Sequence, residues 1–388
     1  MWNVYSWKNY VLKHNPVYSN SDLIIKTLCD YNPLIQFNEI DSLLSLLNTL
    51  QTKNQFILQI GECAEMFLQA NEKDINLRLD FMESMAFQIQ KNLSKEVIII
   101  GRIAGQYAKP RSNDIEIVHN KEYPVYMGDM INSVVLDEDL RKPDAKRLLQ
   151  AYDCSNFTLN IIRQRKKKIF SSHEALLLEY ESALTRLYKH KYYNTSAHML
   201  WLGERTRFVG SAHIQYLSVI ENPVGIKISA NFNIPDIISL INTLNPKNIR
   251  GKVILIVRMG FDNIIDCLPK LIDCIIDNNL EVLWMIDPMH GNTISYENFK
   301  TRKIDSICKE IQYFCDILNK KNVYIAGIHL EASYKNITEC VGCIENNIIE
   351  EKDLSQNYES FCDPRLNAIQ TQFILNLMSN IIQHKDNN

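Results

Sequence analysis

Short apolar, β-branched runs ended by turn residues recur along the chain, with helically spaced apolar stripes between them. Seven runs are clear, at residues 56–60, 97–100, 199–202, 224–228, 253–257, 282–286 and 323–328. An eighth, weaker run falls around Tyr358 to Cys362. Helical stripes cover residues 74–91, 234–244, 264–276, 304–318 and 367–383. Another starts at Ser171 and Glu174, which have capping-box spacing, and continues through Leu178 and Leu184 to Leu187. Near-continuous apolar strands alternating with helices are the pattern of a parallel sheet buried on both faces. The fold class is therefore α/β, and eight repeats predict a closed (β/α)8 TIM barrel over residues 51–388. Periodicity alone leaves an open doubly wound sheet as the alternative. Residues 1–50 contain Leu43, Leu44, Leu46, Leu47 and Leu50 and read as a partly helical N-terminal extension. It would cover the barrel's bottom or an interface. The connection 106–197 is too long for one crossover helix. Its basic run, Arg163 to Lys168, reads as a solvated face.

Composition narrows the class. The chain has 388 residues, 46% hydrophobic and 22% charged, which suits one large core and excludes wholesale disorder. Its 42 Lys and Arg stand against 45 Asp and Glu, so bulk charge does not drive nucleic-acid binding. No apolar run is long enough to span a membrane. The first residues lack the basic-then-apolar order of a signal peptide, and ten Cys are too sparse for a disulfide scaffold. A reducing, cytoplasmic setting is the expectation.

In a barrel of this kind the C-terminal ends of the strands build the active site. The residues at or just past those ends are Cys63, Arg102, Glu204, Lys227, Arg258, His290, Glu331 and Asp363. They divide by chemistry. Cys63, His290, Glu331 and Asp363 offer a sulfur, an imidazole nitrogen and two carboxylates, a donor set for Mn, Fe, Co or Zn rather than Mg or Ca. Arg102, Arg205, Lys227 and Arg258 are cations whose burial is costly without an anion, and arginine suits phosphate and carboxylate alike. The segment Gly101 to Ser112 adds Lys109, Arg111 and the Ser112 hydroxyl as a second anion-binding group. Lys300-Thr301-Arg302, read as opening the helix after the sixth run, can join it. These residues alone describe a metal-dependent enzyme with two anionic substrates, at least one phosphorylated, and a carbonyl at the metal.

Longer motifs make a family visible. Gly61-Glu62-Cys63-Ala64-Glu65, the Gly101 to Ser112 segment, Trp201 to Arg207, Arg258-Met259-Gly260, Asp287 to Thr293, Gly327 to Glu331 and Cys362 to Asn367 occur in order. Together they resemble class II 3-deoxy-D-arabino-heptulosonate 7-phosphate (DAHP) synthase, in its short form. The resemblance implies condensation of phosphoenolpyruvate with erythrose 4-phosphate at the head of the shikimate pathway. It implies metal ligands at Cys63, His290, Glu331 and Asp363, with Mn2+ first among Mn2+, Co2+, Fe2+ and Zn2+. It places phosphoenolpyruvate near Arg102, Lys109, Glu204, Arg205, Lys227 and Arg258, and erythrose 4-phosphate near Arg111, Ser112 and Lys300. Lys109 and Glu204 are the catalytic candidates, Glu204 for the attacking water. A homo-oligomer, dimer or tetramer, follows from the same resemblance, as does weak or absent feedback by aromatic amino acids. A related enzyme condensing phosphoenolpyruvate with another acceptor is the alternative, and retention of Lys109, Arg111, Ser112 and Lys300 favours the first reading. A non-catalytic relative would have lost a ligand, and none is lost.

The sequence departs from the family pattern at Val209-Gly210-Ser211, Gln215, Ile228-Ser229-Ala230 and Cys343. These departures are expected to leave the proposed ligands untouched and to alter the sugar pocket, as in a copy serving a secondary pathway. Cys362 adjoins Asp363, so its thiol is expected to come within reach of Cys63.

Overall fold

The computed structural model describes residues 3–19, 21–111, 113–118, 121–344 and 347–386. Eight strands form its centre: β1 (Gln55–Gly61), β2 (Glu96–Arg102), β3 (Ile169–Glu174), β4 (Met199–Leu202), β5 (Val224–Ile228), β6 (Val253–Val257), β7 (Leu283–Ile286) and β8 (Ile325–Glu331). Each runs parallel to its neighbours in sequence, and β8 closes onto β1. This is a closed (β/α)8 barrel, not an open sheet.

Helices α1 (Asp22–Asp30) and α2 (Phe37–Asn48) precede the barrel. The crossovers carry α3 (Glu72–Leu93), α4 (Lys146–Arg163), α5 (Leu178–Ala183), α6 (Ala212–Leu217), α7 (Ile234–Leu244), α8 (Ile264–Asp277) and α9 (Ile304–Lys320), and α10 (Ala368–Asp386) follows β8. Local chemistry sets their starts. Asn71 accepts the Asp74 N–H at the head of α3, and Asn233 does the same for Asp236 at the head of α7, where a proline also favours helical φ. Among the described residues no helix is long and apolar enough to cross a membrane.

The structure corrects the strand count. The weak run at Tyr358 to Cys362 is loop, and the missing strand is β3. Ser171 and Glu174 lie inside β3 rather than capping a helix. The long second connection therefore ends at residue 168, and the clear runs after residue 199 shift by one to become β4 to β8. Lys300 to Arg302 form one arm of a hairpin, Thr293–Tyr296 with Phe299–Arg302, and the helix opens only at Ile304. The basic run is the end of α4 and the turn after it, where Arg165 is paired with Asp80 and Glu83.

The barrel interior and α2 share one apolar cluster. Leu43, Leu47 and Leu50 pack with Ile57, Ile98, Ile254 and Leu283, so α2 plugs the N-terminal end as its leucines suggest. The extension does more than cover the bottom. Val11 donates its N–H to Gly210 O at 3.0 Å and accepts from Ala212 N at 3.0 Å, binding the first residues to the loop after β4, on the opposite face.

Candidate active site

Strand register assembles the site. Gly61 of β1 stands opposite Glu331 of β8 on one side and Arg102 of β2 on the other. A Cβ on Gly61 would come within 2.6 Å of Arg102 O. The bare glycine lets Arg102 reach across β1, and its guanidinium meets Glu331 at 3.0 Å. Arg102 also donates to the Glu62 and Cys63 carbonyls and to His329 Nε2, and it lies 5.0 Å from the Trp201 ring centre. The cation is thus fixed before any substrate arrives.

Three of the four expected ligands, Cys63, Glu331 and Asp363, place a donor atom within 4.8 Å of one another. His290 Nε2 lies 3.1 Å from Glu331 Oε1, which brings the fourth to the same centre. His290 Nδ1 is 2.7 Å from Asp287 Oδ2, a bond that fixes the proton there and turns the Nε2 lone pair inward. The middle of the group is taken by an ammonium: Lys109 Nζ lies 2.6 Å from Cys63 Sγ, 3.0 Å from Glu331 Oε1 and 2.6 Å from Asp363 Oδ2. A sulfur, an imidazole and two carboxylates gathered around one cationic point fit a divalent ion of intermediate softness. A second cluster, Asp287, His290 and His329, supports the first. His329 is committed to Gln59 and Arg102, and Asp287 to Lys227 and His290.

The charges hold one another. Burial alone would raise Glu331 and Asp363, but His290, Lys109 and Arg302 keep both carboxyls well below the usual range. Burial likewise opposes the Lys109 charge, and Asp363, Cys63 and Glu331 more than restore it. Lys227 goes the other way. Burial lowers it to about 7, with Arg102 and Arg258 adding to the effect and Asp287, at 2.5 Å, resisting it. Cys362 neighbours the Cys63 thiol, and both are free cysteines.

A cavity of about 190 Å³ opens beside this cluster. Arg102, Lys109, Arg205, Lys227, Arg258 and Lys300 all line it, as do Glu204, His290 and Asp363. Arg111 lies outside its wall and donates to Phe361 O at 3.1 Å. Ser112 lies outside the described residues. Asp363 stands on the loop beyond β8 rather than at a strand end. One departure from the family pattern touches the site after all: the Ser229 N–H and hydroxyl both bond the Glu204 carboxylate, at 2.9 Å each, and Arg207 holds it from the other side.

Sequence reasoning missed Glu174, Trp201 and Asp287. Glu174 ends β3 and lines the cavity, and its Oε1 is shielded from solvent with no hydrogen-bond partner among the described residues. Burial pushes its carboxyl up. Finding it required finding β3. Asp287 was in view within its motif, three residues before His290, a spacing that suits an orienting acid.

Fold and site together define a barrel enzyme that gathers cations and a candidate metal cluster at the C-terminal face. The profile of the class-II DAHP synthetase family matches residues 2–168 and 164–378. The chain is 35% identical to a phospho-2-dehydro-3-deoxyheptonate aldolase of Neurospora crassa, covering 95% of this chain and 92% of that one. It is 33% identical to the protein of that name from Streptomyces coelicolor, covering 94% of each. A Mycolicibacterium smegmatis relative, also a phospho-2-dehydro-3-deoxyheptonate aldolase, is 32% identical over 90% of this chain and 88% of its own. A solved structure of that enzyme name from Francisella tularensis shares the fold, with a TM-score of 0.56 at 16% identity over 97% of this chain and 99% of that one. The chain belongs to the class-II DAHP synthetase family, and it is an enzyme of the transferase type.

Proposed function

We propose that the protein condenses phosphoenolpyruvate with D-erythrose 4-phosphate, giving DAHP and inorganic phosphate. The observation that carries this is one cavity lined both by Arg102, Lys227 and Arg258 and by the edge of the four-donor cluster. A divalent ion held by Cys63, His290, Glu331 and Asp363, with Mn2+ the first choice, would polarise the aldehyde carbonyl.

The chain's own residues supply the rest. Arg102, Arg205, Lys227 and Arg258 hold the phosphate and carboxylate of phosphoenolpyruvate and fix its enol carbon toward the aldehyde. Arg111, Ser112 and Lys300 take the phosphate of the acceptor. As the new carbon–carbon bond forms, positive charge develops at the enol-ether carbon and water adds there. Glu204 is already committed to Ser229 and Arg207, so it acts as an anchor of the pocket wall. Glu174, which lines the cavity and whose proton affinity burial raises, takes the proton of that water. The hemiketal then releases phosphate, whose charge Lys109 and the arginines neutralise. Self-association as a dimer or tetramer belongs to the same reading.

The test is metal-loaded protein given both substrates, with the product identified by mass. A seven-carbon 3-deoxy-2-ulosonic acid phosphate with equimolar phosphate is the expected result. Phosphoenolpyruvate consumed only with a different aldehyde, or not at all, would overturn the proposal.

A further inference from the structure

Helix α9 carries one carboxyl where its other buried positions are Ile304, Ile307, Ile311, Phe314, Cys315 and Leu318. Glu310 is fully buried there. Its neighbours supply N–H dipoles rather than a cation. Oε1 accepts the Met259 N–H at 3.0 Å and the Gly260 N–H at 2.8 Å, and Oε2 accepts Asn292 Nδ2 at 2.6 Å. Burying a carboxyl is expensive, and burial pushes this one up to about 8. An apolar residue would continue the helix stripe at no such cost.

The three donors show what Glu310 does. Met259 and Gly260 directly follow Arg258, at the end of β6. Asn292 lies two residues after His290, in the loop after β7. The same two loops touch elsewhere. Arg258 donates to His290 O at 3.2 Å, and the Phe261 N–H reaches Asn292 Oδ1 at 3.2 Å. Gly260 and Gly291 pack backbone to backbone, and a Cβ on Gly291 would stand 2.3 Å from Gly260 N. No side chain separates the loops, so a small shift of one is transmitted to the other.

We propose that Glu310 is a positioning residue that locks the loop bearing Arg258 to the loop bearing His290, so that the anion arm and the metal arm of the site are set as one unit. The proposal rests on the reading above, in which Arg258 binds phosphoenolpyruvate and His290 the ion. Its consequence is specific: loosening Glu310 weakens both ligands together and leaves Arg111, on the separate loop after β2, as it was.

Glu310→Gln tests it. The amide oxygen still accepts from Met259 and Gly260, but the amide N–H2 now faces the Asn292 N–H2, and the link that Glu310 makes between the loops is lost. Mn2+ and phosphoenolpyruvate are titrated separately onto the wild-type and variant proteins, by calorimetry and by tryptophan fluorescence. A loss of about ten- to a hundredfold is expected in the affinity for each, the range typical of groups that orient metal ligands. With Mn2+ kept saturating, KM for erythrose 4-phosphate should change by far less than either affinity. Equal affinities in variant and wild type would overturn the proposal. If Glu310→Gln does not fold, Asn292→Ala removes the Oε2 contact together with the bonds of Asn292 to the Phe261 N–H and Pro288 O, and must weaken both ligands in the same direction, or the proposal fails. A wild-type protein that binds neither probe would instead sink the functional reading.

Discussion

At the N-terminal end of the barrel, Leu43, Leu47 and Leu50 close on Ile57, Ile98, Ile254 and Leu283, all shielded from water. At the other end Arg102, Arg302, Lys109 and Glu331 are as thoroughly buried, and every one is charged. The apolar end gains from each side chain nearly independently, because area removed from water adds up. The charged end is stable only as a set. Each of its members is costly alone and is held by the others, through Glu331 to Arg102, Arg302 and Lys109. One end maintains the fold and the other performs chemistry, so substitutions at the two ends should fail in opposite ways.

The sharpest break in that symmetry is Cys63→Ala. It removes one donor from the ligand cluster while leaving the ion pairs in place. Turnover should fall by about a thousandfold, the loss of several kcal/mol of carbonyl polarisation, with thermal stability nearly unchanged. Activity after metal reconstitution, read beside a melting curve, checks it. Near-normal turnover would remove Cys63 from the ligand set.

Leu47→Ala is the mirror image. Leu47 is completely buried under the barrel. Its truncation should cost about 2–5 kcal/mol of unfolding free energy. At a temperature where the variant is folded, kcat and both KM values should match the wild type. Denaturant unfolding and steady-state kinetics together decide. A fall in kcat would mean that the two ends are not mechanically separate.

How far the sequence could be read follows the same division. Strands β4 to β8 were legible because both of their faces are mostly apolar, with Lys227, His329 and Glu331 breaking the pattern only toward the C-terminal ends. In β3, Ser172 bonds Gln59 and Gly101 inside the barrel, and Ser171 and His173 bond His198 and Glu181 outside it. A strand buried among polar partners leaves no apolar run, and the Ser171–Glu174 spacing imitates a helix cap. Residues 358–362 filled the empty place in the count, although their backbone there is tied to Glu339 as loop. Among the candidate ligands, Glu331 ends β8 and Cys63 and His290 stand just past β1 and β7, positions to which the sequence could point. Glu310 could not. It sits in the stripe of a helix, and only the folded chain brings it to Met259, Gly260 and Asn292.

A smaller effect sharpens the charged end. Lys227 is held at about 7, chiefly by burial, so at neutral pH it is only partly protonated. Binding a phosphate needs the ammonium form. The kcat/KM for phosphoenolpyruvate should therefore fall as pH rises through 7, approaching a tenfold loss per pH unit above it. Lys227→Arg keeps its charge throughout and should flatten that limb. A wild-type profile no steeper than the variant's between pH 6 and 9 would show that Lys227 is already charged before substrate arrives.

Lys300 marks the edge of the charged end, and the comparison predicts the weakest response there. Its side chain is 49% exposed, and its ammonium meets Asp363 Oδ1 at 3.0 Å. Water can replace most of what it offers, so its contribution to binding an acceptor phosphate is about 1 kcal/mol or less. Lys300→Ala should raise KM for erythrose 4-phosphate by about fivefold at low salt, and by less at high ionic strength, where such a contact is screened. The phosphoenolpyruvate KM should not move. Asp363 faces both Lys300 and the ligand cluster, so the variant also tests where the boundary lies. A loss of Mn2+ affinity in Lys300→Ala would place Lys300 inside the mutually supporting set, with Asp363 relying on it for position. An effect confined to the acceptor would leave the boundary at Asp363.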